Sequence, residues 1–154
     1  MAHDAAARNE RDKQTVRRLY EECINGARGE LLPDLVAADY VGPQGERGPA
    51  GFGRTVDGLR DGVPDIHFAL EELIAEGGRV AVRWTWTGTH TGVLRGFAPS
   101  NARVANEGIA VYALRDGKVA RAWLQTDRLG LLQQIGALPA ELGRPAPPRT
   151  PAAP

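Results

Sequence analysis

The stretch Asp116–Gly136, DGKVARAWLQTDRLGLLQQIG, reads as a turn, a strand and a short apolar helix. Asp116-Gly117 is the dipeptide of a tight hairpin turn between two β-like runs. From Lys118 onward successive side chains fall on opposite faces, as strand geometry requires. One face carries Lys118, Ala120, Ala122, Leu124 and Thr126 and is mostly small and apolar. The other carries Val119, Arg121, Trp123, Gln125 and Asp127, a mixture that either meets water or lines a wet pocket. Leu129, Leu131, Leu132 and Ile135 then form a helical stripe. Asp127 stands where the strand ends and this apolar helix begins. The position suits a carboxylate whose pKa is raised by burial, and it equally suits a helix N-cap.

Working outward, Arg103–Arg115 is a strand with Asn106, Gly108, Ala110, Tyr112 and Leu114 opposite Ala105, Glu107, Ile109, Val111 and Ala113. Arg79–Thr91 is another. Val80, Val82, Trp84, Trp86, Gly88 and His90 make its buried face, and the Arg83/Thr85/Thr87 side looks outward or toward a second subunit. Gly77-Gly78 joins it to Ile66–Ala75. Before these strands come helices: one over about 9–27, with Val16, Leu19, Tyr20, Cys23 and Ile24 at three- and four-residue steps, and a short one over about 29–37. A brief strand at Asp39–Val41 follows. The five glycines and two prolines of Gly42–Gly53 predict a loop, with a helical turn or two over Arg54–Gly62. Helices first and antiparallel-type strands afterwards give an α+β class, helices on one face of a curved sheet.

The 154 residues suit one domain, with residues 1–8 a flexible start, 9–138 the folded unit and 139–154 a disordered Pro/Ala-rich tail. Nineteen Lys and Arg balance nineteen Asp and Glu, which argues against a nucleic-acid or membrane-surface partner. A single cysteine, Cys23, leaves no internal disulfide. No apolar run approaches the roughly 18 residues of a membrane span, and no signal peptide opens the chain, so a cytoplasmic location is expected. Histidines at 3, 67 and 90 offer no metal-ligand spacing, and no cofactor motif is found.

Three segments together, RRLYEE (17–22), VPDIHFALEELIAEGGRVAVRWTWTGTHTG (63–92) and GIAVYALRDGKVARAWLQTDRLGLLQQIG (108–136), resemble the SnoaL-like polyketide cyclase or ester cyclase family, from about Thr15 to Leu138. The resemblance implies the NTF2-like cone, a bent sheet and helices around one pocket. That fold serves cyclases, epoxide hydrolases, isomerases and binding proteins. It also implies cofactor-free ring closure by intramolecular aldol condensation, with an acidic side chain moving the proton. The family's W-x-x-x-D-x-x-G-L pattern falls on Trp123, Asp127, Gly130 and Leu131, its G-T-H-x-G on Gly88, Thr89, His90 and Gly92, and its helix tyrosine on Tyr20. Two positions depart. Arg121 stands where many relatives have an acid, and Gly42 where many have a histidine.

Catalytic candidates are therefore Asp127, as acid/base or as cap, and His90, as proton shuttle or as a strand-end histidine bonded to backbone. Trp84, Trp86 and Trp123 are candidate walls for a flat substrate. Tyr20, Tyr40, Tyr112 and Gln125 offer hydrogen bonds to it. Arg121 is a candidate enolate or carboxylate binder or an Asp127 partner, and Glu107 a second carboxylate or a surface ion pair. The expected activity is ring closure of an enolisable polyketide-like compound, by aldol chemistry or by holding the chain for cycloaddition. Epoxide hydrolysis or isomerisation and non-catalytic binding of a hydrophobic small molecule are the alternatives, with a homodimer through the sheet.

Overall fold

The computed structural model describes residues 1–143. Five strands form one sheet in the order β1-β5-β4-β3-β2: β1 Val36–Val41, β2 His67–Glu76, β3 Arg79–Thr89, β4 Arg103–Arg115 and β5 Lys118–Thr126. All neighbours are antiparallel except β1, which runs parallel to β5. Four helices surround it: α1 Ala2–Arg18, α2 Leu32–Leu35, α3 Gly48–Gly62 and α4 Arg128–Gln134. This is the expected α+β cone.

Two one-residue irregularities bend the sheet. Leu70 pairs with Trp84 and Glu72 with Arg83, so Glu71 is an extra residue in β2. Leu114 pairs with Val119 and Ala113 with Arg121, so Ala120 is an extra residue in β5. Such bulges kink the strand and sharpen its twist. The concave face carries Phe68, Val80, Val82, Trp84, Trp86, Ala110, Tyr112, Leu114, Val119 and Ala122, all buried. Trp84 lies against Gly108 of β4, where a Cβ would sit only 2.6 Å from the indole. The missing side chain lets the ring lie close to the sheet.

The helices cover this face with the stripe read from the sequence, Val16, Leu19, Tyr20, Cys23 and Ile24. Each fully buried aliphatic side chain of that kind contributes about 1.5–3 kcal/mol relative to exposure. The expected start near residue 9 is too late, because the alanine-rich segment from Ala2 favours helix. After Arg18 the helix widens into π-type hydrogen bonding over Leu19–Asn25, an arrangement common where a helix serves a site. Asn25 then clamps β2. Its amide nitrogen donates to the Phe68 carbonyl and its oxygen accepts from the Phe68 amide, both at 2.8 Å.

The 29–37 helix is a 3₁₀ turn plus α2, and β1 begins at Val36 rather than Asp39. The loop expected over Gly42–Gly53 is also too long: α3 already starts at Gly48. Pro49 sits in its first turn, where a missing N–H costs nothing. The expected tail begins later than residue 139, since Gln133 Nε2 donates to the carbonyls of Pro139, Ala140 and Leu142. Residues 144–154, the remainder of that expectation, lie outside the described residues.

Candidate active site

Helices and sheet enclose a cavity of about 580 Å3, a volume typical of small-molecule sites. Its deep walls are buried residues: Tyr20, Ile24, Tyr40, Phe52, Trp84, Trp86, Ala110, Tyr112 and Ala122. Exposed residues mark its mouth: Pro43, Gln44, Arg54, Arg95, Phe97 and Arg128. The floor is aromatic, with Phe68 packed edge-on to Trp84 at 5.0 Å between centroids and Tyr40 edge-on to Phe52 at 5.7 Å.

Three tyrosines supply its buried hydroxyls. The Tyr20 and Tyr112 oxygens are 2.7 Å apart, so one donates to the other and the acceptor keeps a proton to give. The Trp84 indole N–H adds a weaker polar contact to Tyr20, yet it completes no hydrogen bond. Burial pushes all three phenol pKa values above their ordinary range. These tyrosines stay neutral, a state suited to donating a hydrogen bond rather than to taking a proton. Asn106 is the other buried polar group on the wall; its Nδ2 donates to the Asp127 carbonyl at 2.7 Å and its Oδ1 accepts from Thr126 at 2.6 Å.

Among the described residues the one carboxylate lining the cavity is Glu46, which the sequence reading did not single out. It is held by its own loop and by α3: Oε2 accepts from the Gln44 amide at 2.9 Å and Oε1 from the Thr55 hydroxyl at 3.5 Å. A Cβ on Gly42 would collide with that carboxylate and lie 3.0 Å from the Tyr40 hydroxyl. The absent side chain at Gly42 leaves the space that the Glu46 carboxylate occupies near the Tyr40 hydroxyl. Nothing in the local pattern signals this, because the contact depends on the loop folding back across Gly42. The available hint was a lone acid in a glycine-rich loop after a strand whose tyrosine faces inward.

Of the residues singled out from the sequence, Trp84, Trp86, Tyr20, Tyr40 and Tyr112 line this one cavity. Asp127 does not join them. It is exposed, it does not line the cavity, and its Oδ1 accepts from the Gly130 amide at 2.8 Å as the N-cap of α4. The D-x-x-G spacing has a physical reason: a Cβ at Gly130 would collide with this carboxylate. Asp127→Ala is expected to cost about 1 kcal/mol, lowering the midpoint of a thermal melt by about 3 °C for a domain of this size. An unchanged midpoint would contradict the capping role.

His90 is also away from the cavity. It is fully buried, its Nδ1 accepts from the Ser100 amide at 3.2 Å and bonds the Ser100 hydroxyl at 2.9 Å. Its backbone exchanges hydrogen bonds with Ala102 and Asn101. The ring anchors the 91–102 loop to the end of β3. Thr89 is fixed similarly, its amide and hydroxyl donating to Asp65 at 2.7 and 3.0 Å.

Arg121, Gln125 and Glu107 lie on the outer face of the sheet, which corrects their placement on a pocket wall. The bulge at Ala120 sets Ala122, Leu124 and Thr126 inward and turns the mixed face to solvent. Trp123 borders the cavity, but its ring stands on the outer side between two guanidinium groups. Arg121 lies 5.1 Å and Arg79 5.6 Å from its centroid, within cation–π range.

The loop that His90 anchors presents a different cation. Leu94 and Phe97 pair through both backbone hydrogen bonds across a two-residue turn, Arg95-Gly96. Both turn residues have positive φ, +50° for Arg95 and +86° for Gly96. Such turns favour Asn or Gly, and a bulky residue there costs on the order of 1 kcal/mol. Partial burial lowers the Arg95 pKa, neighbouring Arg128 lowers it further, and Glu46 opposes both.

The model of the SnoaL-like polyketide cyclases matches residues 14–135. The chain belongs to this family. Its fold is shared by TsrD from Streptomyces laurentii, at 27% identity and a TM-score of 0.78, over 84% of this chain and 97% of that one. AclR from Streptomyces galilaeus, a proposed hydroxylase, aligns at 26% identity and a TM-score of 0.74, over 85% and 84%. A proposed SnoaL-like polyketide cyclase from Jannaschia sp. CCS1 aligns at 23% identity and a TM-score of 0.79, over 85% and 95%, a likeness of fold alone. No curated protein matches. The SnoaL-like cone thus holds proteins named for cyclisation and for hydroxylation. Among the described residues, no helix of this member is long and apolar enough to cross a membrane.

Proposed function

We propose that this SnoaL-like protein is a cofactor-independent cyclase that enolises a carbonyl of a polyketide-like compound and closes a ring by an aldol-type step. The observation that carries this reading is the Glu46 carboxylate on the wall of an aromatic cavity that also holds a buried pair of neutral hydroxyls. Glu46 takes the proton from the carbon next to the carbonyl. The buried Tyr20–Tyr112 pair donates to the enolate oxygen as charge develops there. The carbanion attacks a second carbonyl polarised by Tyr40, and the new alkoxide takes back a proton from Glu46. Atoms are conserved and Glu46 is regenerated. Trp84 and Trp86 hold the chain folded for attack.

Enolisation is testable without the natural substrate. α-Tetralone, a fused aryl ketone, exchanges its α-hydrogens only slowly in deuterium oxide. The protein is expected to accelerate this exchange, read as mass gain, and a rate equal to buffer would sink the proton-transfer reading.

The exposed sheet face suits a second copy of the chain. Ile109 is 50% and Trp123 40% exposed, on a face that also carries Arg83 paired to Glu72 at 3.5 Å. Sedimentation velocity is expected to show a homodimer that Ile109→Arg converts to monomer, since a charge would be buried at the centre of the contact. A monomeric wild type would refute this assembly.

A further inference from the structure

Among the described residues the mouth of the cavity carries three arginines, Arg54, Arg95 and Arg128, against one carboxylate, Glu46. Among the described residues none of the three forms an ion pair, although ten such pairs occur elsewhere. Arg95 holds its place in spite of a left-handed backbone, and the loop that carries it is pinned from below by His90 and Ser100. Strain tolerated at an anchored position points to a use for the side chain that occupies it. Arg95 and Arg128 line the same mouth, and Arg128 disfavours the charge on Arg95, which leaves a local excess of positive potential beside an apolar chamber.

We propose that the ligand of this cavity carries a carboxylate, which docks between Arg95 and Arg128 at the mouth while its apolar body lies on the Trp84 and Trp86 floor. The inference rests on the cavity being the substrate site. The planar guanidinium fork matches a carboxylate in two parallel hydrogen bonds. Anchoring one end there fixes how deep the body enters, and so which of its carbons comes level with Glu46. Arg54, on the α3 side of the mouth, adds to the attraction.

The test compares 2-anthracenecarboxylate with its methyl ester, the same rigid tricycle with and without charge, by fluorescence anisotropy on the full chain. The acid is expected to bind about tenfold or more tighter than the ester, as for a charge-assisted pair. Its advantage should shrink as salt rises from about 50 to about 500 mM. Arg95→Gln/Arg128→Gln should bring the two probes to within about threefold by weakening the acid and leaving the ester unchanged. Arg121→Gln, on the outer face, should alter neither. Equal binding of acid and ester to the wild type, or a preference that survives the double substitution, overturns the carboxylate reading and leaves the cavity as the site. Binding of neither probe overturns both.

Discussion

Glu46→Gln abolishes most of the α-tetralone exchange, with an expected loss of about 10²–10⁴-fold, the range a positioned acid/base contributes. Gln keeps the shape and the ability to accept from the Gln44 amide, so the loop should stay folded and thermal stability should barely move. What it loses is the capacity to take a proton. Asp127→Asn supplies the contrast. That carboxylate is exposed and caps α4, and the amide oxygen of Asn still accepts from Gly130, so exchange should remain within about twofold of wild type. Exchange that survives in Glu46→Gln and fails in Asp127→Asn would reverse the assignment.

The second large effect belongs to the tyrosine pair. Tyr112→Phe is expected to slow exchange about 10²-fold or more, as removal of one donor to a developing oxyanion does, with KM little changed because the loss is confined to the transition state. The 2.7 Å contact makes the hydroxyls one unit. Tyr20→Phe should therefore cost a similar factor, and the double Phe variant no more than the worse single one. Additive losses would mean that the two hydroxyls serve different oxygens, against the mechanism. Some stability should be lost too, about 1–3 kcal/mol for the partner left buried without its hydrogen bond, so rates must be compared well below the melting temperature.

Much of this fold is visible in local periodicity. β4 and β5 occupy the expected spans, because alternation over a dozen residues bounded by Asp116-Gly117 leaves little room for another reading. The buried face of β3 and the stripe of the first helix follow for the same reason. α3 was partly hidden by glycine and proline, whose preference for loops gave way to packing of Phe52 and Val56 against the sheet. The site was less legible. Trp84, Trp86 and the tyrosines reach the cavity because their strands or helix present them there. Arg121 and Gln125 do not, since the mixed face of β5 alone leaves water and a pocket equally open. Asp127 was ambiguous by nature: the spacing that offers a carboxylate near an apolar helix is also the spacing of a cap, and the geometry chooses the cap. Glu46 and Arg95 come from loops, where position depends on Gly42 and on the His90 anchor rather than on any period.

The most direct measurement follows the carboxyl carbons of Glu46 and Asp127 by NMR while α-tetralone is added. If Glu46 faces the bound ketone, its carboxyl resonance shifts with saturation of the site and the Asp127 resonance stays still. A ligand-dependent shift at Asp127 with Glu46 unmoved would contradict the account and return the proton-moving role to the cap of α4.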